Sequence, residues 1–173
     1  MIRITKPEPD EHSPYYGRYI ALVGDDALST LRASSASTPR LLSGVSESHA
    51  LHRYETGKWS VKEVVGHFTD GERVFAYRLL RFARGDRTEL PGFDENAWTP
   101  EGRFDRRTLP ALVAEYSAVR AATVALLGGL EPEWLTRRGM ANGQEVSVRA
   151  LAHIIAGHEL HHVRILKERY KLA

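Results

Sequence analysis

Two histidines near the end of the chain are suitably spaced to bind one metal ion through their imidazoles. His158 and His162 are four residues apart in the stretch His158-Glu159-Leu160-His161-His162, so on a helix their imidazoles lie on one face. The stretch also satisfies H-E-x-x-H, the signature of zinc proteases. The pattern therefore leaves a choice between a protease site and another kind of metal site.

A protease site would need a third ligand, and the sequence does not supply it where proteases do. In proteases with this signature the third ligand follows the motif, but only eleven residues follow His162. The longer form H-E-x-x-H-x-x-G-x-x-H also fails, because Ile165 and Glu168 occupy the positions of its glycine and third histidine. We rank a protease last among the functions considered.

The histidine pair lies on a predicted helix that begins near Ser147 and ends among basic residues. At about 100° per residue, His158 and His162 both fall in the apolar stripe of this helix. The stripe also contains Leu151, Ile154, Ile155 and Ile165. His161 lies at its edge and His153 on the far side. A single buried histidine is usually structural, but two buried imidazoles both need polar partners, and one metal ion would satisfy both.

A third histidine lies upstream, on a second predicted helix. Ser60 and Glu63 form a capping box that begins this helix, and Gly85 ends it. His67 falls in the second turn, on the flank of the apolar stripe. From that position its side chain could reach a neighbouring helix or remain in solvent, and spacing alone leaves both roles open.

The motifs around these histidines follow one another in a characteristic order. They are W-S-x-K-E-V-x-x-H, E-R-V-F-x-Y-R, P-G-F-D-E-N-A-W and G-H-E-L-H-H. Together they resemble the DinB/YfiT-like superfamily over roughly residues 57–170. The resemblance implies an all-α four-helix bundle in which three histidines hold a divalent metal ion, one from the second main helix and two from the last. By position, those ligands are His67, His158 and His162.

A site of three neutral imidazoles predicts catalysis rather than a structural role. Such a site leaves at least one coordination position open and favours a nucleophilic water or thiol near neutral pH. The resemblance implies thiol-dependent transferases and isomerases acting on small molecules. We therefore predict a metal-dependent S-transferase or hydrolase with a small-molecule substrate, a low-molecular-weight thiol partner, and zinc or nickel as the ion. The alternative is a non-catalytic metal-binding or dimerising helical bundle.

Four other side chains are candidates for supporting roles. Glu159 could act as a base or orient a ligand imidazole, although a solvated glutamate is the favoured interpretation. Asp70, one turn after His67, could support that ligand from behind. Asn96 and Trp98 could line the mouth of a pocket, with packing onto the bundle favoured for Trp98. Of these, Glu159 is the one weak candidate for a catalytic residue.

The remaining pattern predicts four long helices joined by one long crossover, as in a four-helix bundle. A short helix over residues 15–23 precedes the first main helix over 28–43, where Pro39 and a cluster of Ser and Thr predict a kink or two shorter helices. A connection of more than twenty residues, without predicted secondary structure, separates the second and third main helices. The third main helix spans about 108–127, and no strands are expected beyond short stretches.

Composition narrows the class of protein further. At 173 residues, the chain is predicted to be one domain, with residues 1–24 as an extension that packs on the bundle. It has no cysteine, no predicted signal peptide and no segment expected to span a membrane. The net charge of +2 is small, and even the densest basic patch, Arg103, Arg106 and Arg107, is expected to be a solvated face rather than a nucleic-acid site. We expect a cytoplasmic protein without membrane or nucleic-acid partners, and one that could form a homodimer.

Overall fold

The computed structural model describes residues 2–173, which are mostly helical. In chain order the elements are α1 (Pro14–Ile20), α2 (Ala27–Ser43), α3 (Glu47–Ala50), α4 (Val61–Ala83), α5 (Glu95–Glu101), α6 (Leu109–Gly128), β1 (Arg138–Ala141), β2 (Gln144–Ser147) and α7 (Val148–Glu168). The four long helices, α2, α4, α6 and α7, pack against one another. They form the four-helix bundle that the sequence predicted.

Polar side chains fix where the long helices begin. The hydroxyl of Ser60 accepts a hydrogen bond from the Glu63 backbone, and the Glu63 carboxylate in turn accepts one from the Ser60 backbone, which confirms the predicted capping box. Ser147 caps α7 in the predicted place, and Thr108 caps α6. Asp26 caps α2 through the Leu28 backbone. Each cap pairs backbone N–H groups that a helix start otherwise leaves unpaired.

The first main helix is a single element, so of the two predicted alternatives, a kink or two shorter helices, the second is wrong. Pro39 lies inside α2, with only residues 40–43 of the helix after it, so the helix loses one backbone hydrogen bond close to its end. The Ser and Thr cluster does not form a turn either. Ser34 and Thr38, one helical turn apart, point their hydroxyls into the core and donate to Glu159, both at 2.7 Å.

The long crossover also contains more structure than predicted. Asp94 caps α5 by accepting hydrogen bonds from the Asn96 and Ala97 backbones, and a short 3-10 turn follows at Phe104–Arg106. In the second connection, Asn142 and Gly143 have φ of 54° and 68° and join β1 to β2, as expected of an Asn-Gly hairpin turn. The crossover elements were missed because local capping and turn residues, rather than apolar periodicity, produce them, whereas the two four-residue strands are short stretches of the kind that the sequence allowed.

The N-terminal residues pack on α7. A Cβ at Gly157 would lie 2.1 Å from the Tyr19 carbonyl oxygen, so only glycine permits this close approach of α1 to α7. The same region covers His153, which is fully buried beside Gly24 and donates one hydrogen bond from Nδ1 to the Arg149 carbonyl. His153 lies on the far side of the helix from the metal-facing stripe, as predicted, but the N-terminal residues bury that side.

One helix in the described part of the chain, α6, is long and apolar enough to cross a membrane by length and composition alone. The expectation that no segment spans a membrane stays a prediction, because length and composition alone do not distinguish a membrane span from a helix of a bundle. In the bundle, α6 packs against α2 and α4. Its inward face carries the fully buried Arg120, whereas its outward face is rich in alanine.

The apolar core of the bundle is divided into two clusters. One cluster includes the C-terminal half of α4 and the N-terminal half of α7, and the other includes the opposite ends of these helices. Polar residues occupy the intervening layer on all four long helices. They are Ser34 and Thr38 of α2, His67 and Glu72 of α4, Arg120 of α6, and His158, Glu159 and His162 of α7. This polar layer positions the candidate site.

Candidate metal centre

The structure brings together the three histidines that the sequence singled out. His67 of α4 faces His158 and His162 of α7, and all three side chains are buried. The Nε2 atom of His158 is 3.1 Å from the Nε2 atoms of both His67 and His162. One ligand atom from each residue lies within 4.8 Å of the others. The helical spacing of four residues therefore aims two imidazoles at a third on the facing helix.

Hydrogen bonding alone does not satisfy this arrangement. An imidazole nitrogen carries either one proton or one in-plane lone pair, so the Nε2 atom of His158 can serve only one of its two 3.1 Å contacts well. A metal ion would accept a lone pair from each ring. Tetrahedral coordination at a Zn–N distance near 2.0–2.1 Å places ligand nitrogens about 3.3 Å apart, close to what is observed. The donor set thus fits a divalent ion.

The surroundings keep the three imidazoles neutral. Burial, and then the neighbouring charge of His161, lower the pKa of His67 to about 4. Burial is also the main reason that the pKa values of His158 and His162 lie well below the usual range for histidine. At neutral pH all three rings are therefore neutral imidazoles. In this form each ring has one nitrogen with a free lone pair, which can bind a metal ion.

Aromatic rings hold the ligand imidazoles in place. The Trp59 ring lies against His67, with centroids 4.7 Å apart. Tyr19 and Phe75 pack edge-on against His158 at 5.5 and 5.8 Å. Gly71 of α4 leaves room for the His158 ring, because a Cβ there would lie 3.0 Å from its Cε1 atom.

Gly71→Ala should weaken metal binding without destabilising the metal-free protein. The added methyl group must displace the His158 ring by a few tenths of an ångström, and misplacing a ligand should weaken metal affinity by about tenfold or more. Alanine nevertheless favours the helix by up to about 1 kcal/mol, so the metal-free protein should not be destabilised. Competition with a chelator and thermal melting would measure the two effects. Gly128→Ala, where the new Cβ makes an ordinary contact, is the matched control and should leave affinity unchanged.

The other predicted supporting residues lie around this centre without touching the ligand nitrogens. Asp70 forms an ion pair with Arg73 at 3.1 Å rather than contacting His67, and burial raises its pKa. Trp98 is 47% exposed and stacks on Phe93, consistent with packing rather than a pocket role. Asn96 does line a cavity, one that also contacts His162.

Glu159 has a different environment from the one expected. Its side chain is 2% exposed, so the favoured interpretation of a solvated glutamate is wrong. The carboxylate accepts hydrogen bonds from Ser34, Thr38 and Tyr116, and it pairs with the Arg120 guanidinium at 2.7 Å. With these partners it ties α7 to α2 and α6. Its role as a base or as an orienting residue for a ligand remains a prediction.

Arg120 also pairs with a second buried carboxylate. Its Nε and Nη2 atoms donate to the two oxygens of Glu72 at 2.9 and 2.7 Å, the bidentate geometry that favours arginine for such pairs. Burial, and then the charge of Glu159, raise the pKa of Tyr116, so its hydroxyl stays protonated and can donate. Sequence reasoning missed this network. The available signal was a charged residue, Arg120, on the same helical face as Leu112, Tyr116 and Thr123.

Two cavities give access to the histidines from different sides. A cavity of about 260 Å³ contacts His67 and His158, and its wall includes residues from α1, α4, the crossover and the β-hairpin. Its aromatic lining consists of Tyr15, Tyr16, Tyr19, Phe75 and Phe93. A second cavity, of about 240 Å³, contacts His162 and is lined by Trp59 and Tyr170. Each cavity therefore offers space for a small molecule beside the histidine cluster.

A model of the DinB superfamily matches residues 30–166 of the chain. The fold is similar to that of YfiT from Bacillus subtilis, which is described as a probable metal-dependent hydrolase with an unusual four-helix bundle topology. That match has a TM-score of 0.73 at 18% sequence identity and covers 97% of this chain and 94% of YfiT. No curated protein sequence matches the chain.

The fold is also similar to that of a mycothiol-dependent maleylpyruvate isomerase. The TM-score is 0.63 at 15% identity, and the match covers 79% of this chain. The chain corresponds to 58% of the isomerase, so part of that enzyme has no counterpart here. At these identities, both similarities concern the fold.

Proposed function

The chain belongs to the DinB superfamily, and from this premise we propose that it is a metal-dependent enzyme acting on a small molecule, as a thiol-dependent S-transferase or a hydrolase. The observation that carries the proposal is the convergence of three neutral imidazole nitrogens beside a cavity. His67, His158 and His162 would hold the ion. When bound, a divalent ion supplies Lewis acidity, which favours the deprotonated, nucleophilic form of a thiol or water.

The surrounding residues would position the substrate and limit the access of water. The aromatic lining around His158 offers apolar walls on which a small molecule can pack. The imidazoles are held by Trp59, Tyr19 and Phe75, which reduces the motion that would misplace reacting groups. Two structural relatives, a probable metal-dependent hydrolase and a mycothiol-dependent isomerase, are consistent with hydrolytic and thiol chemistry respectively.

The alternative is a non-catalytic metal-binding or dimerising bundle. The outward face of α6 favours it, because this long helix exposes alanines where a solvated helix usually carries charged residues. The exposed residues of that face include Ala114, Ala118, Ala121, Ala122 and Ala125. In that case the ion would stabilise the bundle without supporting any reaction.

A paired activity assay tests the proposal. Zinc-loaded and nickel-loaded protein would be incubated with cysteine and the fluorogenic electrophile monochlorobimane, to detect thiol transfer, and with p-nitrophenyl acetate, to detect hydrolysis. We expect a rate above the uncatalysed reaction in one assay, and its loss in His158→Ala. His161→Ala, which changes a histidine at the edge of the site, should keep the activity. No activity with either ion, together with a lower melting temperature after metal removal, would favour the non-catalytic bundle.

A further inference from the structure

One buried cation near the candidate metal centre has no anionic partner among residues 2–173. Six charged side chains other than histidines are buried within residues 2–173, and they are Glu11, Lys62, Glu72, Arg78, Arg120 and Glu159. Five of them form ion pairs: Glu11 with Arg149, Lys62 with Glu47, and Glu72 and Glu159 with Arg120. Arg78, which is 3% exposed, takes part in no ion pair within the described residues.

Arg78 lines the cavity that contacts His67 and His158. Its guanidinium carbon is 5.8 Å from the centroid of the Phe75 ring, and the same ring is 5.8 Å from the His158 ring. The Arg78 guanidinium and the His158 imidazole thus both lie next to the Phe75 ring. The Tyr16 hydroxyl lies beside the guanidinium, and burial raises its pKa, so it remains a hydrogen-bond donor.

The structural contacts of Arg78 leave its charge unexplained. Nη2 donates one hydrogen bond to the Pro91 carbonyl at 2.7 Å, which uses one of the five N–H groups of a guanidinium. A neutral donor could hold that carbonyl equally well. A buried charge without a counter-charge is destabilising, and an anion bound in the cavity would supply the counter-charge. Glu95 lines the same cavity, but it forms no ion pair with Arg78.

We propose that Arg78, with the Tyr16 hydroxyl beside it, binds a carboxylate group of the substrate or thiol that reacts at the three-histidine site. This inference rests on the proposed function and deepens it, since it specifies an anionic small molecule. The planar guanidinium presents paired N–H donors that match the two oxygens of a carboxylate. The neighbouring Phe75 and Phe93 rings, whose centroids lie 5.8 and 6.0 Å from the guanidinium carbon, limit the access of water and so strengthen that interaction.

Matched ligands that differ only in charge test the assignment. Calorimetric titration of zinc-loaded protein would compare 3-mercaptopropionate with 3-mercaptopropionamide. Ligand-observed NMR would compare propionate with propionamide, which lack the thiol. We expect wild type to prefer the acid over the amide by about tenfold or more in each pair, because a charge-assisted hydrogen bond contributes about 1.5–3 kcal/mol. Arg78→Gln should reduce this preference to about twofold or less, and Arg78→Lys should keep part of it. Arg87→Gln, at an exposed arginine outside the cavity, should keep all of it.

The ratio of the affinities for the acid and for the amide also distinguishes this inference from a purely structural role of Arg78. Loss of the Pro91 contact alone would weaken both members of a pair equally and leave the ratio unchanged. Equal binding of acid and amide by wild type would overturn the inference, even if Arg78→Gln failed to fold. If neither thiol bound better than its thiol-free counterpart while propionate was still preferred, the thiol chemistry would be wrong and the anion site right.

Discussion

Arg120→Met should destabilise the metal-free protein by about 3–5 kcal/mol, the usual effect of removing one partner from a buried ion pair. Arg120 is fully buried and forms ion pairs with both Glu72 and Glu159. Methionine fills a similar volume, so the main effect is that two carboxylates are left in the core without a counter-charge. Urea unfolding monitored by circular dichroism would measure the change in the free energy of unfolding.

A matched substitution at an exposed pair distinguishes the buried network from ordinary surface charges. Arg164→Met removes the partner of Glu168, and both side chains of that pair are more than half exposed, so the loss should be below about 1 kcal/mol. Adding Glu72→Gln to Arg120→Met should recover part of the stability, because one stranded charge disappears. An Arg120→Met protein as stable as Arg164→Met would show that the polar layer does not hold the helices together.

The network also explains how the site is positioned. Glu159 follows His158 directly on α7, and its hydrogen bonds to Ser34, Thr38 and Tyr116 fix the rotation of α7 against α2 and α6. The same rotation aims His158 and His162 at α4. The polar layer therefore combines a structural half, centred on Arg120, with a chemical half, made of the three histidines.

The helices and two of the three histidines could be predicted because they depend on local sequence. Ser60 and Ser147 mark helix starts, and the spacing between His158 and His162 is a property of one helix. His67 could not be placed by periodicity alone, since a flank position suits both solvent and a neighbouring helix. The resemblance to a family placed it, and the structure brings it to His158.

Long-range polar pairing limits what the sequence can predict. Glu159 is 125 residues from Ser34 and 121 from Thr38, and nothing local to Glu159 distinguishes a buried acid from a solvated one. Similarly, the Ser and Thr cluster of α2 resembles a turn because these residues usually bond to their own backbone. Their partner becomes visible only when α7 packs against α2.

Burial of Arg78 was likewise not predictable from its position in α4. On a helix that also carries Arg73 and Arg81, both in exposed or half-exposed ion pairs, a third arginine suggests another solvated charge. The crossover and the β-hairpin cover it, and both belong to segments whose structure arises from turns and caps. The cavity therefore depends on the least predictable parts of the chain.

Removing a single histidine of the three should nearly abolish metal binding. Each ring supplies one of three protein ligands, and no other His, Cys, Asp or Glu of the described chain joins the cluster. His67→Ala or His158→Ala should therefore weaken metal affinity by more than about 100-fold. That exceeds the usual effect of changing a residue that only supports a ligand. His153→Ala and His161→Ala serve as controls, because neither residue belongs to the cluster.

Elemental mass spectrometry of untagged protein, before and after loading with zinc or nickel and desalting, tests the metal centre most directly. We predict about one equivalent of ion in wild type and in both control variants, as for a mononuclear site, and little or none in His67→Ala and His158→Ala. An ion retained equally by the His67 and His158 variants, or a wild-type protein that binds neither metal, would contradict a metal centre shared between α4 and α7.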